Sequence, residues 1–276
     1  MTSNRDPESG FVALRGEGRL AYQIHGQNNG GVPLLLIRPL GGTMALWGEF
    51  RELLAREFRV ISFDLRGTGQ SSPDPAWPTT RDLAHDAIQL LARLGVPRAH
   101  VFGISLGGMI ATWFALLAPM RVARLCMAST PVRGLALSAT GLRRELGLAA
   151  CFVRTRRNVE AKLVERILSS RFRAAHPEKV SEIERIVRAE PASRTELIKH
   201  ALAGLLHDAR ADVARIHAPT LVLAGQRDTL LGMKPARALS DAIAGSRFES
   251  VVDSGHDLTL EQARVTARIV SEFLRA

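Results

Sequence analysis

The segment Val101-Phe102-Gly103-Ile104-Ser105-Leu106-Gly107-Gly108 constrains this chain more than any other stretch. An apolar run short enough for a buried strand enters it, and an apolar helix beginning Met109-Ile110-Ala111 leaves it. The backbone must therefore turn sharply at Ser105. Such a turn lifts the serine hydroxyl clear of the main chain. It closes only where neighbours lack side chains, because a Cβ at Gly103 or Gly107 would crowd it. A Gly-rich turn with an incidental serine is the plainer reading. The strand before it and the helix after it are the context that a reactive serine in this pattern requires.

The rest of the chain alternates to match. Strand-like runs lie at residues 11–14 and 19–24 (a hairpin through Gly16 and Gly18), 34–37, 59–63, 99–103, 122–128, 220–224 and 247–251. Continuous apolar runs such as 34–37 fit parallel strands buried on both faces. Helical spacing appears at 47–55, where Trp47, Phe50 and Leu54 share a face. It recurs from Thr79 or Thr80 through Leu94, with Asp82 in the first turn and Leu83, Ala87, Leu90, Leu91 and Leu94 on one face. Further helices are expected at 106–117, 235–243 and 260–274. The predicted class is α/β: a mostly parallel eight-stranded sheet flanked by helices. Between Pro131 and Asp212 the rhythm breaks. No strand is evident there, and helices are expected near 136–153, 159–168, 177–189 and 193–206, with Pro177 and Pro191 near helix starts. The expected division is residues 1–130 and 213–276 as the α/β core and 131–212 as a helical insertion.

Composition narrows the partners. The chain has 276 residues, 46% hydrophobic and 23% charged, ordinary for a globular protein. No apolar run approaches the roughly 20 residues that span a bilayer, and residues 1–10 lack the apolar stretch of a secretory signal. A cytoplasmic location is expected. Net charge is +10, but lysine occurs only at Lys162, Lys179, Lys199 and Lys234. Codon usage explains that arginine bias as readily as a polyanionic partner does. Basic runs are no longer than two residues and aromatics are sparse, so no nucleic acid is expected, and no membrane. Cys126 lies in an apolar strand-like run and Cys151 far from it, which suggests neither a disulfide framework nor a metal site. No cofactor is called for.

A serine hydroxyl needs a base to take its proton and an acid to orient that base. In an open parallel sheet such groups gather just past the carboxyl ends of strands. After 220–224 comes Gly225-Gln226-Arg227-Asp228, and after 247–251 comes Asp253-Ser254-Gly255-His256. Ser105, Asp228 and His256 are the expected catalytic residues. Asp253 and Asp257 compete as the acid, but neighbours on one loop rarely point at the same imidazole nitrogen. His25 follows an early strand and is a weaker base candidate. His85, His100, His176, His200, His207 and His217 read as surface or packing residues. Attack on an acyl carbon creates an oxyanion that needs fixed N–H donors. The backbone N–H of Leu106 is one. Leu40, in Arg38-Pro39-Leu40-Gly41-Gly42, is the expected second, since Pro39 has no N–H.

On these residues the chain resembles the α/β-hydrolase fold superfamily. The matching pieces are Gly103-Ile104-Ser105-Leu106-Gly107-Gly108, the segment Asp64-Leu65-Arg66-Gly67-Thr68-Gly69-Gln70-Ser71, Asp228 after its strand, and Ser254-Gly255-His256. The order serine, acid, histidine is that family's order. The helical insertion sits where the family carries a cap over its site, and Asp64 and Arg66 take structural roles. The resemblance implies a serine hydrolase cleaving a carboxylic ester or lactone through an acyl-enzyme. The alternatives are a cofactor-free perhydrolase or haloperoxidase-like enzyme, a C–C hydrolase, and a ligand-binding receptor on the same scaffold. The expected partner is a small ester or lactone, with self-association left open.

Many relatives carry His-Gly where this chain has Arg38-Pro39. The 3-oxoadipate enol-lactonase branch also lacks His-Gly. The run Leu40-Gly41-Gly42-Thr43 through Trp47, and Gly108-Met109-Ile110 with Trp113, are similar to that branch. An enol-lactone or another small carboxylate-bearing ester is therefore the expected substrate. Arg38 is read as a loop-anchoring residue that points to solvent. Residues 131–212 hold sixteen Lys and Arg against ten Asp and Glu. Those cations either face the cleft and steer anions, or lie on solvated helix faces beside Glu160, Glu165, Glu182 and Glu184.

Overall fold

The computed structural model describes residues 7–15, 18–73, 75–134, 159–190 and 192–276. Eight strands form one sheet: β1 (Glu8–Ala13), β2 (Arg19–His25), β3 (Leu34–Ile37), β4 (Val60–Phe63), β5 (Ala99–Ile104), β6 (Val122–Ala128), β7 (Thr220–Gly225) and β8 (Arg247–Val251). Their order is β1-β2-β4-β3-β5-β6-β7-β8. The hairpin β1–β2 and the pair β2–β4 are antiparallel, and all other pairs are parallel.

The two-residue period of a strand decides what covers each face. Leu35, Ile37 and Val101 point to one side and pack with α2 (Thr80–Arg93) and α3 (Leu106–Leu117) through Leu83, Leu90, Ile110 and Phe114. Leu34, Leu36 and Phe102 point to the other. There α1 (Gly48–Leu54) supplies Phe50, its ring tilted against Phe102 at 5.1 Å and Trp47 at 5.7 Å between centroids. A local device fixes the start of α2. The Thr79 hydroxyl accepts the Asp82 N–H while the Asp82 carboxylate accepts the Thr79 N–H, which settles the cap at Thr79.

The described residues between β6 and β7 contain no strand of the sheet. They form α4 (Val159–Ile167), α5 (Ser170–Ala175), α6 (Pro177–Ala189) and α7 (Arg194–Leu205). Val164, Leu168, Phe172, Ile183 and Val187 make a third apolar cluster, joined to the rest through Leu46. The short α5 has no counterpart in the sequence reading. It exists because Ser169 caps it, accepting the Phe172 N–H. The helix expected near 136–153, and Pro191, lie outside the described residues.

Beyond β7 come α8 (Met233–Asp241), α9 (Leu258–Glu261) and α10 (Ala263–Arg275). The helix expected at 235–243 starts two residues earlier, since Pro235 is tolerated in a first turn where its N–H is not needed. The helix expected at 260–274 is instead two, because Asp257 caps a separate short turn by accepting the Thr259 and Leu260 N–H groups. Val270 and Phe273 of α10 complete the face shared with α1. No helix of the described residues is long and apolar enough to cross a membrane.

Candidate active site

The turn after β5 is as tight as its sequence requires. Ser105 has φ 55° and ψ −118°, a conformation that costs a non-glycine residue energy and persists only where its surroundings enforce it. Its N–H donates to the Ala128 carbonyl at 2.9 Å. Its carbonyl accepts the Met109 N–H at 3.1 Å and the Thr130 hydroxyl at 2.8 Å. A Cβ on Gly103 would lie 2.1 Å from the Gly107 carbonyl oxygen, and one on Gly107 would lie 2.1 Å from that of Ile37. Neither neighbour is a flexible side chain, so nothing can yield. Gly107→Ala is expected to destabilise the protein by about 3 kcal/mol. A thermal melt should show a fall of roughly 6–12 °C; an unchanged melt would contradict the close approach.

Asp228 follows β7 and His256 follows β8. Their loops touch where Gly225 packs on the Gly255 carbonyl, a Cβ there coming to 2.0 Å. Asp228 Oδ2 meets His256 Nδ1 at 2.9 Å, with both side chains almost fully buried. Asp228 Oδ1 accepts the Leu230 and Leu231 N–H groups at 2.8 and 2.9 Å. Burial works against the Asp228 charge, but His256 and these two N–H groups hold its carboxyl below the ordinary range. Burial likewise works against an imidazolium at His256. The Asp228 carboxylate, with Asp257 adding to it, outweighs burial and holds the His256 pKa above its ordinary value.

The two competing carboxylates are engaged elsewhere. Asp253 is paired with Arg227 at 2.7 Å. Asp257 is held by Arg38, whose Nη2 donates to Oδ2 at 2.9 Å. This corrects the solvent-facing reading of Arg38. The residue anchors a loop, but from inside, 1% exposed, with its guanidinium 4.6 Å from the Trp47 ring. Asp64 and Arg66 are also structural. Asp64 accepts the Met44 and Gln70 N–H groups at 2.8 and 3.0 Å, and burial raises its carboxyl to about 6. Arg66 pairs with buried Asp86.

Ser105, Leu106, Leu40 and His256 all line one cavity of about 210 Å³. Its remaining wall is mostly apolar, including Met109 from α3, Leu163 and Ile167 from α4, and Leu231 beside Asp228. His25 is not among the lining residues. His200 of α7 is, and it was read from sequence only as surface or packing. It is fully buried, with Nε2 2.9 Å from the Arg66 carbonyl oxygen. Among the described residues no Lys or Arg lines this cavity. Two cations of the helical segment pair along its exposed faces, Arg188 with Glu184 and Arg173 with Glu165, while Lys199 pairs with Glu196 in a buried position outside this cavity. Several contacts tie that segment to the loop and short helix after β8, an Arg171–Asp253 pair at 3.8 Å among them. Asp257 donates its N–H to the Ile167 carbonyl at 3.0 Å, and Glu261 accepts the Ser169 N–H and hydroxyl at 2.6 and 2.7 Å.

A family model described as the alpha/beta hydrolase fold matches residues 32–263. The chain is 32% identical over 261 residues to a Variovorax paradoxus protein named "Putative carbamate hydrolase RutD", covering 92% of this chain and 96% of that one. It is 28% identical over 262 residues to 3-oxoadipate enol-lactonase 1 of Acinetobacter baylyi, covering 93% of each. Among solved structures, a hydrolase from Pseudomonas aeruginosa PA01 matches with a TM-score of 0.83 at 30% identity, over 98% of this chain and 99% of that one.

Proposed function

Since this chain belongs to the α/β-hydrolase fold family, we propose that it is a serine hydrolase cleaving a carboxylic ester or lactone through an acyl-enzyme on Ser105. One observation carries the reading. A serine held at positive φ shares a cavity wall with a histidine whose Nδ1 is taken by a buried carboxylate. With Nδ1 committed to Asp228, Nε2 is the nitrogen left to accept the Ser105 proton as Oγ attacks the acyl carbon. The oxyanion falls to the backbone N–H groups of Leu40 and Leu106, the latter opening a helix where N–H groups have no partner within it. His256 then returns the proton to the leaving alkoxide or enolate, and next activates the water that frees the acid. Asp228 stays ionised and stabilises the imidazolium. The helices between β6 and β7 serve as the cap.

The neutral imidazole is the working form of His256. Its pKa lies above the ordinary value of about 6.5. The acid limb of kcat/KM is therefore expected above pH ~6.5, with the rate falling as pH drops through it. A pH–rate profile checks this, and a limb well below that value would contradict the electrostatics described.

The lining shifts the substrate reading. An enol-lactone bearing a carboxylate would bring a charge to a wall where no described residue offers a cation. An unpaired buried charge costs several kcal/mol. A neutral ester with an apolar acyl group fits better. It should exceed its matched carboxylate-bearing ester in kcat/KM by about tenfold or more, at low and high ionic strength alike. The test is a panel of p-nitrophenyl esters, lactones, an enol-lactone and a carbamate, run with wild type and Ser105→Ala. Preference for the anionic partner, shrinking with salt, would restore the charge-steered alternative. Hydrolysis that survives in Ser105→Ala would remove the serine mechanism.

A further inference from the structure

Arg38 connects three parts of the site. Its carbonyl oxygen packs on Gly107, where an added Cβ would come to 2.7 Å. Leu40 lies two residues on. The Arg38 side chain reaches the loop after β8, with Nη2 2.9 Å from Asp257 Oδ2 and Nη1 3.3 Å from Thr259 Oγ1. Asp257 directly follows His256. Two buried carboxylates therefore bear on one imidazole, yet only Asp228 bonds to it. Asp257 is spent on Arg38, the Thr259 hydroxyl and the N–H groups opening α9. Among the described residues, Glu261 is engaged with Ser169 and Asp253 with Arg227.

We propose that Arg38 is a positioning residue that holds the Asp257 carboxylate away from His256 and offsets most of its charge, leaving Asp228 as the carboxylate that bonds and orients the ring. The proposal rests on the reading of His256 as the base. Without the guanidinium, the Asp257 carboxylate keeps its Thr259 and Leu260 partners but loses its counter-charge, one residue from the imidazole. It then stabilises the imidazolium or draws the ring from Asp228. A buried ion pair that served packing alone would lose stability on substitution and leave the ring's titration unmoved.

The test is an NMR titration of the His256 imidazole, with kcat and KM, in wild type, Arg38→Met and Arg38→Met/Asp257→Asn. The single variant should raise the His256 pKa by about one unit and lower kcat by about tenfold or more with little change in KM. The double variant carries no lone buried charge. It should titrate no higher than wild type, since the small Asp257 contribution is gone as well, and recover kcat to within about threefold. An Arg38→Met protein that titrates like wild type would overturn the proposal, as would a folded double variant still as slow as the single. If Arg38→Met fails to fold, the polar variant Arg38→Gln takes its place by the same criteria. If neither folds, Arg38 holds the fold rather than the charge at His256, and the proposal fails. The NMR readout needs no substrate. A failure of Ser105-dependent hydrolysis therefore stays distinguishable from a failure of this coupling.

Discussion

Ser105→Ala and His256→Ala are each expected to lower kcat by about 10⁴-fold or more. The two should be alike in size, and the double variant barely worse than either. Nucleophile and base act as one unit, and once either is gone the other has nothing to do. Ser105→Ala removes one oxygen from the cavity wall and keeps the backbone contacts of Ser105 with Ala128, Met109 and Thr130. Its melting temperature should stay within a few degrees of wild type. His256→Ala empties a buried ring site and leaves Asp228 without its partner, so some loss of stability accompanies it. Steady-state kinetics with circular-dichroism melts separates the two effects. A folded Ser105→Ala protein with more than about a tenth of wild-type kcat contradicts the mechanism.

Asp228→Asn is the second large effect, about 10⁴-fold in kcat near neutral pH. The size comes from chemistry rather than from lost packing. The Asn Oδ1 can still accept the Leu230 and Leu231 N–H groups that now reach Asp228 Oδ1 at 2.8 and 2.9 Å. Its amide NH₂, however, would face His256 Nδ1 where a carboxylate oxygen now sits at 2.9 Å. That favours the tautomer with the proton on Nε2, the wrong nitrogen for a base. The imidazolium formed during turnover also loses its counter-charge. The His256 pKa, raised by Asp228 against burial, should fall. The residual activity of Asp228→Asn should then show its acid limb at lower pH than wild type. Activity within tenfold of wild type, or an unmoved limb, would mean that another group orients the ring.

The residues of this site differ in how far along the chain their determinants reach. The turn at Ser105 was legible because its demands are local: two glycines flank it, and the strand and helix on either side announce themselves by apolar runs. Asp228 and His256 were legible because both follow strands, and parallel strands deliver their loops to one edge. Arg38 was misread for a physical reason. A charged residue is almost never buried unless paired, and its partner Asp257 lies 219 residues away, with no local pattern to reveal it. His200 is buried, one of the two roles its position allowed, but its partner, the Arg66 carbonyl, is 134 residues distant and gave no local sign of which. The division of residues 260–274 into α9 and α10 depended on Asp257 serving as a cap while also binding Arg38. The placement of charge in the helical segment was a face question, and helical spacing answered it for Glu184 and Arg188.

The central claim is that Ser105 is a nucleophile activated by His256. Labelling with a fluorophosphonate, followed by intact mass and peptide mapping, tests it most directly. One phosphonyl adduct per chain is expected in the wild type, mapped to Ser105, with labelling slowed by orders of magnitude in His256→Ala. An unlabelled protein that still hydrolyses esters, or an adduct on another residue that abolishes activity, would contradict it.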